Sequence, residues 1–433
     1  MPNKKRTKRK GLKFLIVDAE GLMSDMARQL KGEGNEVRMH ITQKKWQDIA
    51  GGIAEKVDDW KAHKDWADVI LFSYCGFGKE QEELRGKGCK VVGGSSLEVI
   101  ETDRHEGVRM LERIGIKPIP SAEFESFKKA REFIRQNPAR YVFKPCGVME
   151  DDKESTFVGR ENDGSDVLHA LNKFEKIWKG KACFMLQRFV EGIEVGVACY
   201  FNGKNWVKPV HINFEHKKLM PGEIGPNTGE QGTVFYFVDD CPLFDMTLNK
   251  MTEILREKNH VGIVDLSMII NEKGIHPLEF CIRNGYPALQ IEAASLDIPW
   301  GKFYSGLSDG KDARFKVRKP FSVGVVVSVP PYPYESRELF EKISAGQAIL
   351  VKEKEKFVRY ADVKIKNGSL VPAGDMGYLL VCVGIGNTLE QAINDAYDTV
   401  GKVDAKDMMY RNDIGKKVVE GKWIDKLRKW KYL

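Results

Sequence analysis

The sequence predicts an α/β domain at the N-terminus that is followed by α+β segments. Three short apolar runs, "LKFLIVDAEG", "DVILFSYCG" and "CKVVGGSS", alternate with charged sequence that is compatible with helices. Alternation of this kind is typical of a parallel sheet with helical connections. Further along, Asn202-Gly203 interrupts a long β-rich stretch, and this dipeptide is a strong signal for an antiparallel hairpin.

Residues 12–97 are therefore interpreted as a small Rossmann-like domain. The turn after the first strand reads "DAEGLMS" and lacks the GxGxxG pattern, so the sequence does not indicate a dinucleotide. We place the other boundaries from composition and pattern: a disordered basic arm over 1–11, a second domain over 98–314 and a C-terminal α+β domain over 315–433.

Within the second domain, "SLEVIETDRHEGVRMLERIG" predicts one helix that ends near Gly115. The runs "YVFKPCG" and "KACFMLQRFV" predict strands, and two later strands are joined by a turn from Asn271 to Gly274. The C-terminal domain is expected to contain strands and a helix in the two stretches "FSVGVVVSVPPYPY" and "GYLLVCVGIGNTLEQAINDAYDTV".

Composition narrows the class of protein. Hydrophobic residues make up 42% and charged residues 30%, which is typical of a globular chain. No apolar run reaches the length of about 18 residues that a membrane helix needs, and the N-terminus has no apolar segment of a secretory signal. The eight cysteines show no CxxC pair, so we expect reduced thiols in a cytoplasmic protein.

The formal net charge of +7 is concentrated at the N-terminus. Six cations lie within the first ten residues: Lys4, Lys5, Arg6, Lys8, Arg9 and Lys10. The rest of the chain is nearly neutral, which argues against a nucleic-acid-binding body. The arm itself could contact nucleic acid, but a solubilising extension is the favoured interpretation.

The stretch "GEIGPNTGEQGT", residues 222–233, is rich in the residues that turns favour. A surface turn is one interpretation. The other is an active-site loop, because Lys144 precedes it on a predicted strand and Glu194, Glu279 and Arg283 lie at or near predicted strand ends. A lysine for phosphate, carboxylates for a divalent metal and an arginine are the groups that ATP-dependent acyl activation needs.

Three motifs in the same order resemble the phosphoribosylamine–glycine ligase family of ATP-grasp ligases. The family loop Gly-Pro-Asn-Thr-Gly-Gly-Met-Gly is similar to residues 225–232, and Glu-Phe-Asn-x-Arg-Phe-Gly-Asp-Pro-Glu-x-Gln is similar to residues 279–290. Near the end, "YRNDIG" is similar to the family's Arg-x-Asp-Ile-Gly. The resemblance implies an ATP-grasp fold and an enzyme of purine biosynthesis that forms an amide from a carboxylate, an amine and ATP, with Mg²⁺ or Mn²⁺ as the metal.

The resemblance also implies roles for individual residues. ATP would be bound by Arg104, Lys144, Lys153, Gln187, Val190 and Glu194, with the segment from Gln187 to Val190 at the adenine. The metal ligands would be Glu279 and Cys281. His216, Lys217 and Arg283 would act near the reacting groups, and Pro226, Asn227, Thr228 and Gly229 would form the substrate pocket. Surface ion pairs, ordinary strand ends and solvated carboxylates are the alternative interpretations of these same residues.

Several positions depart from the family pattern. Cys281 replaces the family's asparagine, and a soft thiol suits Mg²⁺ poorly. Tyr286 and Ala288 replace two carboxylates. The loop expected over the phosphates reads "GVMEDDKESTFVG", with acidic residues at 150–152, and the turn "DAEGLMS" lacks the arginine and histidine that help the family to hold a sugar phosphate.

Three functions remain open from the sequence. The first is the family's own ligase reaction with small-molecule carboxylate and amine substrates. The second is ligation of an amino acid to another amine, such as a modified nucleotide; the departures at Cys281, Tyr286 and Ala288 favour this function and the third one. The third is a non-catalytic scaffold, which the retained Lys144, Glu194, Glu279 and Arg283 disfavour. The oligomeric state is not predicted.

Overall fold

The computed structural model describes residues 11–146, 156–179, 183–312, 316–352 and 356–433. The basic arm, Lys153 and the acidic residues 150–152 lie outside the described residues. Two compact units are present. The first unit comprises the chain up to Glu98, Gly196–Asp265 and Cys281–Leu433; the second comprises Val99–Val195 and Leu266–Phe280. These compact units do not correspond to domains predicted from the sequence, so they do not test the predicted domain boundaries, which stay predictions.

The N-terminal part of the first unit is the parallel sheet that the apolar runs predicted. Its elements are β1 (Lys13–Asp18), α1 (Ser24–Gly32), β2 (Glu36–Ile41), β3 (Glu55–Lys56), β4 (Val69–Phe72), α2 (Gly78–Gly86) and β5 (Val91–Val92). The strand order is β3-β2-β1-β4-β5, with all neighbours parallel. Leu15, Ile70 and Phe72 are buried in its core. The order reverses between β1 and β4, where open α/β sheets bind ligands at the carboxyl ends of the strands.

The second unit begins with a helical pair and an antiparallel sheet. Its elements are α3 (Val99–Thr102), α4 (Arg104–Arg113), β6 (Ser121–Phe124), α5 (Phe127–Gln136), β7 (Tyr141–Pro145), β8 (Phe157–Val158), α6 (Ser165–Ile177) and β9 (Phe184–Arg188). The strand order is β6-β9-β7-β8. The stacked rings of Phe143 and Phe174, with centroids 4.5 Å apart, lie in an aromatic-rich core.

The prediction of a single helix across residue 103 is wrong, because the structure has two helices there, α3 and α4. Asp103 has an extended backbone, and its side chain accepts hydrogen bonds from the amides of His105 and Glu106. A side chain that caps the amides of the following residues begins a helix rather than continuing one. The predicted helix end is confirmed, because Gly115 has a φ of +69° just after α4.

Long antiparallel strands follow. The elements are β10 (Ile193–Asn202), β11 (Trp206–Met220), β12 (Ile224–Val238), α7 (Pro242–Met246), α8 (Thr252–Glu257), β13 (Val261–Asn271), β14 (Gly274–Cys281), α9 (Ala288–Ser295) and α10 (Trp300–Ser308). The turn predicted at Asn202-Gly203 is confirmed, with Gly203 at a φ of +85°. The turn between β13 and β14 is also confirmed.

The glycine-rich stretch is a strand for most of its length, contrary to the predicted loop. Residues 224–233 belong to β12, which pairs with β11 from Met220↔Ile224 to Val210↔Val238. The register shifts between His216↔Gly232 and Lys218↔Asn227, so residues 228–231 bulge out opposite Lys217. A bulge of this kind re-aims side chains without ending the strand.

The C-terminal part completes the first unit. Its elements are β15 (Phe321–Ser328), α11 (Arg337–Ile343), β16 (Leu350–Val351), β17 (Val358–Tyr360), β18 (Val363–Lys366), β19 (Ser369–Pro372), β20 (Tyr378–Gly386), α12 (Leu389–Val400), β21 (Val403–Asp404), α13 (Lys416–Glu420) and α14 (Trp423–Lys429). The main sheet has the order β14-β13-β10-β11-β12-β15-β20-β17. Helix α12 packs closely on β20, since a Cβ at Gly384 would lie 2.0 Å from the backbone nitrogen of Ala396.

The cysteines and helices fit two of the sequence expectations. All eight cysteines are free thiols. No helix in the described parts of the chain is both long enough and apolar enough to cross a membrane.

Candidate active site

The second unit brings two of the predicted phosphate-binding cations close together. Lys144 lies on β7, and the Nε of Arg104 donates a hydrogen bond to the carbonyl of Pro145 at 3.1 Å. Arg104 is the first residue of α4, directly after the cap that Asp103 provides. The helix start therefore fixes the arginine at the end of β7, one residue from Lys144.

The predicted adenine and ribose residues lie along neighbouring strands of this unit. Gln187 is on β9, where it pairs with Val142 of β7, and Val190 lies in the linker before β10. Glu194 is the second residue of β10. The linker between β9 and β10 is held in place by a hydrogen bond of 2.8 Å from the side-chain amide of Asn271 to the carbonyl of Glu191.

The two predicted metal ligands lie at the C-terminal end of one strand, β14. Glu279 is exposed and Cys281 is half-buried, and both occupy the same face of β14 because they are two residues apart. The thiol of Cys281 donates to the carbonyl of Arg283 at 3.4 Å. Within the described residues, no group of three or more His, Cys, Asp or Glu side chains could hold a metal ion. The exposed carboxylate of Glu279 is an oxygen donor of the kind that Mg²⁺ takes, but the described residues offer no closed protein cage for the ion.

In the first unit, the bulge of β12 and the facing part of β11 gather charged groups. Lys217 Nζ lies 3.0 Å from Glu215 Oε2, and the hydroxyl of Thr228 donates to the Lys217 carbonyl at 2.8 Å. Of the predicted pocket residues, Thr228 is half-buried, whereas Pro226, Asn227 and Gly229 are exposed. The bulge thus brings the predicted substrate residues beside the predicted catalytic lysine.

Two carboxyl groups missed by sequence reasoning lie in the same region. Glu230 is 6% exposed, and its Oε1 has no hydrogen-bond partner. Asp265 accepts from the Asn213 amide at 2.7 Å through Oδ2, while its Oδ1 is buried without a partner. Burial raises the pKa of both carboxyls well above the usual range, and the charge of Glu215 raises them further. The signal in the sequence was a lone acid within an apolar strand, as in "VGIVDLSMII".

His216 occupies a different environment from the one its predicted role implies. It is fully buried, and its Nε2 accepts a hydrogen bond from the Gly415 amide at 3.1 Å. Burial lowers the pKa of this imidazole well below its usual value, and Lys417 and Arg411 lower it further. The geometry gives His216 a structural tie to residues 411–415, and its catalytic role stays a prediction.

The motif "YRNDIG" forms a clamp on the β11–β12 hairpin. Arg411 is 1% exposed and donates to Asp413 at 2.8 Å, to Glu223 at 2.8 Å and to the carbonyl of Lys218 at 2.9 Å. Asp413 in turn accepts from the amide of Gly222 at 2.8 Å. Sequence reasoning found this motif by resemblance but gave it no role. The structure shows that it fixes the hairpin that carries residues 226–229.

In the turn after β1, the backbone amides donate hydrogen bonds to a carboxylate of the turn itself, that of Asp18. Asp18 is 1% exposed, and its carboxylate accepts hydrogen bonds from the amides of Glu20 and Gly21 at 3.0 Å and of Met23 at 2.8 Å. Backbone amides at such a turn are the usual donors for a phosphate. Here the side chain of Asp18 uses them.

Arg283 lies near Glu20 in the turn after β1, and its main-chain carbonyl accepts from the thiol of Cys281. Its Nη1 donates to the carbonyl of Asn284 at 3.2 Å, and its charge lowers the pKa of Glu20, which burial and Asp18 raise. Tyr286, at a position where the family has a carboxylate, donates to Asp362 Oδ1 at 3.4 Å. The charge of Arg283 thus acts on one carboxylate of the first unit, that of Glu20.

Comparison with known proteins identifies the family. Residues 107–289 match the model for the ATP-grasp (A) domain of phosphoribosylglycinamide synthetase, and residues 322–417 match the model for its C domain. Phosphoribosylamine–glycine ligase of Thermotoga maritima is 27% identical over 376 residues, covering 84% of this chain and 82% of the relative. The Streptococcus pneumoniae enzyme of the same name is 23% identical, covering 78% and 81%.

Solved structures show the same fold. The crystal structure of the Thermotoga maritima ligase superposes with a TM-score of 0.69 at 22% identity, covering 93% of this chain and 100% of the other. Biotin carboxylase of Campylobacter jejuni gives 0.61 at 13% identity, covering 92% of each chain. Both the fold expected from the resemblance and the family itself are therefore confirmed. The chain belongs to the phosphoribosylglycinamide synthetase family of ATP-dependent carbon–nitrogen ligases with the ATP-grasp fold.

Proposed function

We propose that this chain uses ATP to convert the carboxylate of a small amino acid of the glycine class into an acyl phosphate, which an amine then attacks. Glu230 and Asp265 support this function most directly. Each keeps a buried carboxyl oxygen without a partner beside Lys217. A buried unpaired carboxyl destabilises a folded chain, and such groups persist where a substrate completes their hydrogen bonds.

The second unit would bind the nucleotide. Arg104 and Lys144 would bind phosphate oxygens by direct charge, and the backbone from Gln187 to Val190 would hydrogen-bond the adenine edge. Glu194 would accept from the ribose hydroxyls. Lys153 is assigned to the same phosphates from the sequence alone, since it lies outside the described residues.

Glu279 would hold Mg²⁺ together with the phosphates, and the metal would neutralise charge on the γ-phosphoryl group. Cys281 lies on the same face of β14 but offers sulfur, so we assign one hard protein ligand to the metal.

The first unit would carry the transfer steps. The carboxylate oxygen attacks the γ-phosphorus, the bond to ADP breaks, and Arg283 or Lys217 offsets the charge of the acyl phosphate. The amine nitrogen then attacks the acyl carbon, inorganic phosphate leaves, and the nitrogen gives up one proton. Glu230 would accept a hydrogen bond from the attacking amine through its buried, unpartnered Oε1, and the proton would leave to solvent.

Trapping with hydroxylamine tests the acyl phosphate without requiring knowledge of the natural amine. With ATP, Mg²⁺, glycine and hydroxylamine, the chain should form a hydroxamate and ADP in equal amounts. Lys144→Ala should abolish both products, while the exposed Lys173→Ala should not. ATP binding without a hydroxamate from glycine or any other amino acid would contradict the acyl phosphate, and absence of ATP binding would favour the scaffold.

A further inference from the structure

The first unit contains an acidic wall lined with tyrosines that the reaction described above does not use. We define it by Glu20, Tyr286, Asp362, Tyr378 and Tyr332. Tyr286 and Tyr378 have ring centroids 4.9 Å apart, and Tyr378 and Tyr332 have centroids 5.7 Å apart. The hydroxyl of Tyr286 donates to Asp362, which is 8% exposed.

This wall is continuous with the reacting region at the bulge of β12. The hydroxyl of Tyr332 donates to the Glu230 carbonyl at 3.2 Å, and a hydrogen bond with Thr228 acts on the same hydroxyl. The charges of both Glu230 and Asp362 act on the hydroxyl of Tyr378. The tyrosines therefore connect the carboxyl group beside Lys217 with the carboxyl group beside Tyr286.

The carboxylates of the wall lie close to one another. Burial raises the pKa of Asp362 well above its usual range, and the charges of Glu20, Asp18 and Asp375 add to that effect. Burial also raises the pKa of Glu20, as do Asp18 and Glu335. A cation bound here would oppose both shifts, because it favours the charged forms of the two carboxyl groups.

Two buried polar atoms point to a missing donor, independently of the acidic residues. The Oε1 of Gln290, a residue that is 1% exposed, has no hydrogen-bond partner, although its Nε2 donates to the carbonyl of Leu22 in the turn after β1. The hydroxyl of Tyr378, a residue that is 5% exposed, is also unpartnered. Carbonyl and phenolic oxygens accept hydrogen bonds, and an ammonium group supplies up to three.

Three cations also face this region. Lys45 pairs with Glu335, Lys56 is close to Asp18 and Asp48, and Arg283 is close to Glu20. None of them restores a phosphate subsite at the turn after β1, because Asp18 already accepts from three of its amides. A phosphate there would meet a fixed carboxylate instead of free donors.

We propose that the amine acceptor is a diamine or polyamine whose second ammonium group binds the acidic tyrosine wall while its reacting amine lies near Glu230. This substrate class rests on the proposed ligase function. The second ammonium group would favour the charged forms of Glu20 and Asp362, and the tyrosine rings favour a cation over an uncharged chain. The same wall disfavours an acceptor that carries a phosphate.

Three amines with the same four-carbon chain test the charge requirement. Butylamine carries only the reacting amine, putrescine adds an ammonium group, and γ-aminobutyrate adds a carboxylate. With ATP, Mg²⁺ and the amino acid that gives the hydroxamate, kcat/KM for putrescine should exceed that for butylamine by at least about tenfold. γ-Aminobutyrate should be the poorest of the three.

Substitutions in the acidic tyrosine wall test whether the wall binds the second ammonium group of putrescine. Glu20→Gln should raise KM for putrescine at least about fivefold without changing hydroxamate formation. Asp362→Asn should do the same, and Glu20→Gln remains informative if the buried Asp362 variant fails to fold. Glu272→Gln, at an exposed position in the turn between β13 and β14, is the matched control and should change neither value.

The outcomes separate this inference from the ligase function. Equal rates with butylamine and putrescine, or a preference for phosphoribosylamine, would overturn the diamine acceptor while hydroxamate formation still supported the ligase. Loss of hydroxamate with every amino acid would instead overturn the ligase function itself.

Discussion

Arg411 and Glu223 are joined across 188 residues of sequence by a hydrogen bond of 2.8 Å from Nη2 to Oε1. The arginine is 1% exposed, so its charge is compensated almost entirely by the groups it contacts. This contact fixes the end of the hairpin whose second strand carries residues 226–229. The β11–β12 hairpin therefore depends on a residue near the C-terminus.

Arg411→Met should destabilise the chain by about 3 kcal/mol, because it leaves Asp413 and the carbonyl of Lys218 without their buried donor. The unfolding free energy from urea titration measures this loss. Lys416→Met is the control, since Lys416 is exposed and makes only a 3.7 Å pair with Glu420. Equal stability of the two variants would show that Arg411 is not a clamp.

Glu279→Ala should weaken ATP binding in the presence of Mg²⁺ by at least about tenfold, or about 1.4 kcal/mol. The reason is the loss of the carboxylate assigned to the metal. Titration calorimetry measures the change, and it should vanish when Mg²⁺ is replaced by EDTA. Glu272→Ala in the neighbouring turn should bind like the parent chain.

Cys281→Asn should lower the Mg²⁺ concentration needed for ATP turnover, because an amide oxygen is a harder ligand than a thiol. Cys281→Ala removes the thiol without adding an oxygen and should show no such gain. Initial rates across a Mg²⁺ series distinguish the two variants. An unchanged requirement in the asparagine variant would mean that residue 281 does not face the metal.

Glu292 should make the stability of the chain depend on pH. It is 1% exposed, accepts from the Tyr200 hydroxyl at 2.7 Å and lies 3.1 Å from His211 Nε2. Burial raises the pKa of Glu292 to about 8 and lowers that of His211 to about 3, so near neutral pH we expect both side chains to be uncharged. The short separation alone would also suit an ion pair, but burial of both groups favours the neutral forms.

The unfolded chain releases the Glu292 proton near pH 4.5, whereas the folded chain holds it until about pH 8. Stability is therefore present below pH 4.5 and lost as the pH rises towards 8, at up to about 1.4 kcal/mol per pH unit. His211 acts in the opposite direction below its usual pKa of 6.5. Glu292→Gln should flatten the loss between pH 7 and 8, as measured by urea unfolding, and Glu390→Gln on the exposed surface should not.

Deletion of residues 2–10 should leave ligation of small substrates unchanged, because the six clustered cations lie outside the predicted site. Any affinity for nucleic acid should fall, together with its dependence on salt. Filter binding at several salt concentrations and the ADP assay measure the two effects. A loss of small-substrate activity would instead tie the arm to the site.

Much of the fold could be predicted from the sequence because its signals are local. The apolar runs around Ile16 and Leu71 and the turn at Asn202-Gly203 depend on neighbouring residues, and the structure confirms them. The strand character of residues 224–233 was not predictable, because glycine and proline favour turns locally. Pairing with β11 and the clamp from Arg411 override that preference.

The candidate site shows the same division. Lys144, Glu279 and Arg283 were found by their order along the chain, and their roles stay predictions. Glu230 and Asp265 were missed, because only the fold shows that their carboxyl oxygens are buried without partners. Burial is a property of distant contacts, and no spacing in the sequence encodes it.

The position of the clamp along the chain has a consequence for synthesis on the ribosome. Strands β11 and β12 emerge long before Arg411 and Asp413, so a nascent chain can pair the two strands but cannot yet secure their turn through Glu223 and Gly222. The hairpin is locked only once residues 411–415 have been translated and His216 has met the amide of Gly415. A message that ends before codon 411 thus yields a chain whose β11–β12 hairpin lacks the contacts of Arg411 and Asp413.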